Sequence, residues 1–215
     1  MTRDEPNTVS REREQPGDGH CFPTYRIAGL ADAVFAIAMT IMVLGLDLAE
    51  TTEDALLQQF PDIFECEVHR LYNYFVSFLL LAVFWSMHHK HIHHVKRIDH
   101  RGLWLNILIL MFVALIPFST SLTGDFPDLA ISSIVFACNI GILGVLFFLH
   151  WSHATINEDL AKGTLPAAVI RKETRWTIIV ILIAVAVLAV SAITPRISLL
   201  YFLLIPILFF LKDVR

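Results

Sequence analysis

Asp32 stands inside an apolar run, residues 26–48, that reads RIAGLADAVFAIAMTIMVLGLDL. A carboxylate in hydrocarbon costs several kcal/mol unless it is paired or sees water, so this position is a functional-site candidate. Downstream, Trp85, His88 and His89 are spaced i, i+3 and i+4 and so share one face of a helix. The histidines continue as HHKHIHH over residues 88–94. Carboxylate, indole and imidazole in these patterns suit three chemistries: proton transfer, metal ligation, or a polar clamp between helices.

Metal ligation has the weakest support. His89-x-x-x-His93-His94 matches one histidine box of the membrane di-iron oxygenases by spacing, but such centres need several boxes. The chain adds only His150-x-x-His153 and the isolated His20, His69 and His100. A plainer reading makes His91, His93 and His94, with Lys90, Lys96 and Arg97, a cationic collar at a helix end. Cys21, Cys66 and Cys138 fall at different levels of the chain, which argues against a disulfide. No metal, cofactor or catalytic residue is expected, and no nucleic-acid partner.

The elements that position these residues follow from composition. A chain of 215 residues with 56% hydrophobic residues, 17% charged residues and a mean hydropathy of +0.64 is an all-α polytopic membrane protein. Apolar spans read 27–46, 71–89, 102–124, 129–157, 176–195 and 197–211, against the ~20 residues needed to cross the hydrocarbon. Six transmembrane helices result, the last weakest because Pro206 interrupts it. Residues 1–25 are polar and mixed in charge and read as a disordered cytoplasmic tail. Residues 26–212 form the six-helix unit, and 213–215 the C-terminal end.

Lys and Arg favour cytoplasmic connections. With both termini cytoplasmic, only Arg70 and Arg196 of the 16 basic residues lie outside. The outer ends carry Asp47, Glu50, Glu53, Asp54, Asp62, Glu65, Glu67, Asp125 and Asp128, an acidic surface that concentrates cations. Near the inner side, Asp32, Trp85, His88, His89 and Asn106 share one depth, so the carboxylate has indole, imidazole and amide partners within reach. Arg26 is six residues from Asp32, about 120° round the helix, and is not its natural partner.

Arg26-Ile-Ala-Gly-Leu30-Ala31-Asp32 followed by Ala-Val-Phe-Ala-Ile-Ala-Met-Thr resembles the opening of helix 1 in the transmembrane protein 175 family of potassium channels. That family's pattern is R-x-x-x-F-S-D, then G-V-F-A-I-A. Tyr74-Phe-Val-Ser-Phe with Trp85-Ser-Met-His88-His89, and Leu103-Trp-Leu-Asn106 through Ile116-Pro117-Phe118-Ser119-Thr120, resemble its helices 2 and 3 in order and spacing. Leu30 and Ala31 depart from the family's Phe and Ser.

The resemblance implies a homotetramer in a prokaryotic plasma membrane, helix 1 of each copy lining a central pore that passes potassium over sodium with modest selectivity. It implies a hydrophobic constriction of Ile37, Ile41 and Leu44 with Thr40 as an adjacent polar layer. It also implies a motif network of Arg26, Asp32, Trp85, His88, His89 and Asn106. The helical wheel is compatible, since Leu30, Ile37, Ile41, Leu44 and Leu48 lie within about 40° of one line and Asp32 about 140° away. Yet helix 1 is apolar all round, and periodicity alone reads Ile37 as a packing residue. Ala31, Ala38 and Gly45, every seventh residue, offer a face for close helix approach. No T-V-G-Y-G segment is present for a carbonyl filter. The rival readings are a proton-coupled or metal-ion transporter using Asp32, His88 and His89, a membrane oxidoreductase, and a purely structural protein.

Overall fold

The computed structural model describes residues 22–46, 53–156, 160, 161, 163 and 165–213. Most of the expected N-terminal tail lies outside this range. Its last residues do not belong to a tail, because Phe22–Pro23 (β1) pairs antiparallel with Arg97–Ile98 (β2) and the first helix, α1, begins at Thr24. Proline fixes φ and favours an extended residue before it, which suits a short strand leading into a helix. α1 runs Thr24–Ile41 and then tightens into a 3-10 turn, Met42–Leu46.

The second helix, α2, spans Glu53–His94, about 63 Å at 1.5 Å per residue and roughly twice the hydrocarbon thickness. Its membrane-compatible part is Glu67–His94, so the predicted span 71–89 lies within a longer helix. At its basic end the chain leaves α2 through Val95, and the Lys96 N–H donates to the Leu160 carbonyl at 2.7 Å.

The third span is kinked. α3 (His100–Ala114) and α4 (Ile116–Asp125) meet at Leu115, because Pro117 has no N–H for the Val113 carbonyl and its ring crowds that turn. α5 (Ala130–Ile156) and α6 (Ala167–Ser191) follow as unbroken helices and pack extensively on each other. Gly144 permits the close approach, since a Cβ there would stand 3.0 Å from Ile181 Cγ1. The final apolar segment is broken into α7 (Pro195–Ser198), a 3-10 stretch (Leu199–Leu203) and α8 (Leu204–Asp213). Pro206 offers no N–H to the Phe202 carbonyl, which accounts for the tightened turn. Among the described residues five helices are long and apolar enough to cross a membrane, and Pro195–Leu211 is a shorter apolar helical stretch.

α1 packs on α2, α3 and α4; α3 and α4 pack in turn on α5, and α5 on α6. α1 and α6 therefore occupy opposite flanks. Between them the core is aromatic and aliphatic, with Phe84 stacked on Phe147 and Phe136 edge-on to Phe202, each pair 5.4 Å between centroids. A polar seam runs through the same core. Ser77 pairs with Thr120 at 2.8 Å, Asn139 donates to Ser119 at 3.2 Å, and Asn73 approaches Thr123 at 3.5 Å. Lipid offers such groups no partner, so bonds of this kind select which helices associate.

Asp99 ties the basic end together. Its carboxylate caps α3 by accepting the Gly102 N–H at 2.9 Å and meets the His153 ring of α5 at 2.9 and 3.0 Å. Burial pushes its pKa up, but the Gly102 N–H and the His153 ring outweigh that and hold it below the ordinary value. A lowered carboxylate pKa stabilises the fold above the unfolded-state value, and the contribution is lost as pH falls through the folded-state value. Asp99→Ala is expected to lower the thermal midpoint of the detergent-solubilised protein, reflecting roughly 0.5–2 kcal/mol of lost capping. In fluorescence-monitored melts the gap from wild type narrows below about pH 4, where the carboxyl protonates.

Candidate functional site

One flank of α1 is buried against α2, α3 and α4 through Ile27, Ala31, Phe35, Ala38 and Met42. Ala31 and Ala38 let the neighbouring backbones come close, and a Cβ on Gly45 would lie 3.9 Å from Ser121 Oγ. The small-residue face read from the heptad spacing is thus part of the packed side. About 100° round the helix, Leu30, Ile37, Ile41 and Leu44 form a line open to the surroundings, Ile37 being 56%, Ile41 48% and Leu44 69% exposed. Leu48 lies outside the described residues. Thr40 is also exposed, and its hydroxyl proton is shared between the Ala36 and Ile37 carbonyls at 3.0 and 2.9 Å. Its oxygen lone pairs remain for an outside partner.

Beside this line is an apolar crevice of about 590 Å³ between α1 and the α2–α4 pair. Ile37, Ile41 and Leu44 form one wall; Tyr74, Pro117 and Phe118 line the other, with Arg70 at the acidic end. The crevice exists where the 3-10 turn of α1 and the proline kink of the third span face each other.

Asp32 lies on the other side of α1 and accepts the Trp85 indole N–H at 2.8 Å. His88 is buried one turn further on, where its Nε2–H donates to Asn106 Oδ1 at 2.7 Å and its ring lies 6.0 Å from that of Phe35. Asp32, Trp85, His88 and Asn106 thus form two separate pairs. Each joins a different helix to α2: Asp32 comes from α1 and Asn106 from α3. His89 is exposed and tilts against the Trp85 ring at 5.8 Å. Arg26 is exposed and makes no ion pair among the described residues.

The histidine run divides by helix face. His93 is exposed, as expected of an interfacial collar, whereas His91 is buried and stacks on Trp151 at 4.5 Å. Reading His91 into the collar treats every histidine of the run as facing the membrane surface, and the helix turns this one inward. Because α2 continues to His94, Phe84, His88 and His91 recur at helical spacing on the packed side. Among the described residues no three His, Cys, Asp or Glu side chains are placed to hold a metal ion.

At the acidic end, Arg70 pairs with Glu67 and with Asp125, both at 3.1 Å, and Arg196 approaches Asp128 at 3.8 Å. The basic residues that stand out against the charge bias each have a carboxylate beside them. These pairs, the Asp99–His153 contact and the serine–threonine seam are absent from the candidate residues read from sequence. The seam has a sequence signal, since Asn73/Ser77 and Ser119/Thr120/Thr123 recur at helical spacing in apolar surroundings. Asp99 and His153 are 54 positions apart, beyond any local pattern.

Residues 26–117 match the family model described as Endosomal/lysosomal potassium channel TMEM175. A potassium channel of Chamaesiphon minutus is 30% identical over 147 residues, 64% of this chain and 68% of that protein. One of Streptomyces collinus is 29% identical over 139 residues, 60% of this chain and 64% of that protein. An endosomal/lysosomal proton channel TMEM175 of Rattus norvegicus is 27% identical over 148 residues, 66% of this chain and 29% of that protein. In fold, the chain is similar to the crystal structure of a lysosomal potassium-selective channel TMEM175 homolog from Chamaesiphon minutus. The TM-score is 0.75 at 24% identity, covering 88% of this chain and 97% of that one.

The His88–Asn106 pair makes an asymmetric prediction. Asn106→Ala leaves a buried imidazole without its acceptor and is expected to destabilise the protein by roughly 1–3 kcal/mol. Removing both polar groups, as in His88→Leu with Asn106→Leu, should recover much of that loss. Thermal midpoints of the single and double variants, taken as a cycle, check this; purely additive losses would contradict a direct bond.

Proposed function

This chain belongs to the family of the endosomal/lysosomal potassium channel TMEM175, and we propose that four copies form a potassium-permeable cation channel with α1 of each lining a central pore. The observation that carries this reading is the open line of Leu30, Ile37, Ile41 and Leu44 on a helix whose adjacent flank is packed and whose Asp32 is engaged with Trp85. Four such lines facing one axis give successive rings of branched apolar side chains. Bacterial relatives named potassium channels support the ion.

Conduction through such rings depends on their staying wet. Ile37, Ile41 and Leu44 form the constriction, which excludes water when narrow and passes ions when wider. Selectivity is modest, resting on the ease with which potassium sheds water and on the Thr40 layer. With its proton held by its own helix, each Thr40 oxygen presents lone pairs to a cation. The acidic end faces outside and draws cations to the mouth, with both termini on the cytoplasmic side of a prokaryotic plasma membrane. Asp32 and its partners hold α1 in rotation rather than bind the ion. The relay reading has less support, because Asp32 and His88 bond separate neutral partners and share no hydrogen bond.

Recordings from purified protein in liposomes, with potassium, sodium and proton gradients, test the proposal. Ile37→Asn is expected to raise unitary conductance and to bring potassium and sodium permeabilities closer together; unchanged currents would remove Ile37 from the pore. Asp32→Ala is expected to reduce the yield of tetramer in size-exclusion chromatography. A stable tetramer with normal currents would rule out the anchoring role.

A further inference from the structure

We infer that α6 carries a site for an anionic phospholipid, its phosphate held by Arg171 and Arg175 and an acyl chain lying along Ile178, Leu182 and Val185. The inference rests on α6 spanning the bilayer and is independent of what the pore conducts.

At 100° per residue, Arg171, Arg175, Ile178, Leu182 and Val185 fall within about 40° of one line. All five are exposed, Leu182 by 62% and Val185 by 59%. Lys172 is exposed beside them. The stripe changes character within one turn, from two guanidinium groups to a row of branched apolar side chains. From Arg171 to Val185 it runs about 21 Å, enough for a headgroup and one leaflet of a ~30 Å hydrocarbon core. Half-buried Trp176, edge-on to Phe209 at 6.1 Å, lies at the junction, where an amphipathic ring marks the headgroup level.

Among the described residues no carboxylate pairs with the charge on this stripe. Glu173, the one acidic residue of α6, is buried against the bundle, and Arg171, Lys172 and Arg175 form no ion pair among the described residues. Arg70 and Arg196, by contrast, have carboxylates beside them. Arginines at i and i+4 have Cβ atoms about 5–6 Å apart, a spacing that lets two planar forks bracket one phosphodiester. α6 also lies on the flank opposite α1, so a pore built around α1 leaves this stripe towards the lipid.

Native mass spectrometry of the purified protein tests the site, titrating phosphatidylglycerol against phosphatidylcholine with the same acyl chains. Phosphatidylglycerol should bind about twenty-fivefold more tightly, taking roughly fivefold for each of the two interfacial arginines. Arg171→Gln with Arg175→Gln should abolish the preference while preserving oligomeric mass and melting temperature. Arg171→Lys with Arg175→Lys should keep most of it, and Leu182→Ser with Val185→Ser should weaken phosphatidylglycerol severalfold. Wild-type protein without a preference, or a glutamine pair that retains it, would leave the arginines as anchors in bulk lipid and overturn the site. If millimolar inorganic phosphate displaces phosphatidylglycerol and the serine pair has no effect, the ligand is free phosphate and the lipid assignment fails. Should the glutamine pair fail to fold, the lysine and serine pairs decide between these outcomes.

Discussion

An apolar helix in a bilayer gains little from turning one apolar face to its neighbours rather than another, since lipid tails are as apolar as leucine. Its rotation must be set by contacts that lipid cannot supply. In α1 these are the Trp85 N–H on Asp32 and the close approach allowed by Ala31 and Ala38. With those in place, Leu30, Ile37, Ile41 and Leu44 have one direction left to face. The position of Thr40 and one wall of the crevice follow from the same rotation.

The rest of the bundle repeats this logic with other chemistry. Ser77 with Thr120 and Asn139 with Ser119 stitch α2, α4 and α5 together at mid-depth. Asp99 joins α3 to α5 at the basic end, and Arg70 joins α2 to α4 at the acidic end. Each contact is between groups with no good alternative in hydrocarbon or at its edge, which gives helix pairing a specificity that apolar packing alone lacks.

Much of this was legible in sequence where polar residues are scarce. A lone carboxylate in an apolar span has few candidate partners, and Trp85 is among those named from spacing. His88 and Asn106 stand among the same candidates as partners for that carboxylate, and the structure bonds them to each other instead. The face of α1 was not, because a helix apolar on every side carries no periodic signal. The apolar span 71–89 carries no signal for how far α2 extends beyond it, since hydropathy falls while helical backbone continues, and the polar run conceals that His91 turns inward. The breaks at Leu115 and over Leu199–Leu203 have visible causes in Pro117 and Pro206, but proline announces a disturbance without its extent. Asp99 with His153 had no signal, since only folding brings them together.

The pairing of Phe22–Pro23 with Arg97–Ile98 gives α1 mechanical asymmetry. One end of the helix is fastened by backbone bonds to the α2–α3 connection, while the other ends in a 3-10 turn beside open space. The 3-10 end is held instead by side-chain packing on α2 and α4, with Met42 buried there. Over the helix length of about 35 Å, a tilt of about 5° about the strand pair would displace the Leu44 end by about 3 Å, and the crevice beside it is where that displacement would be taken up.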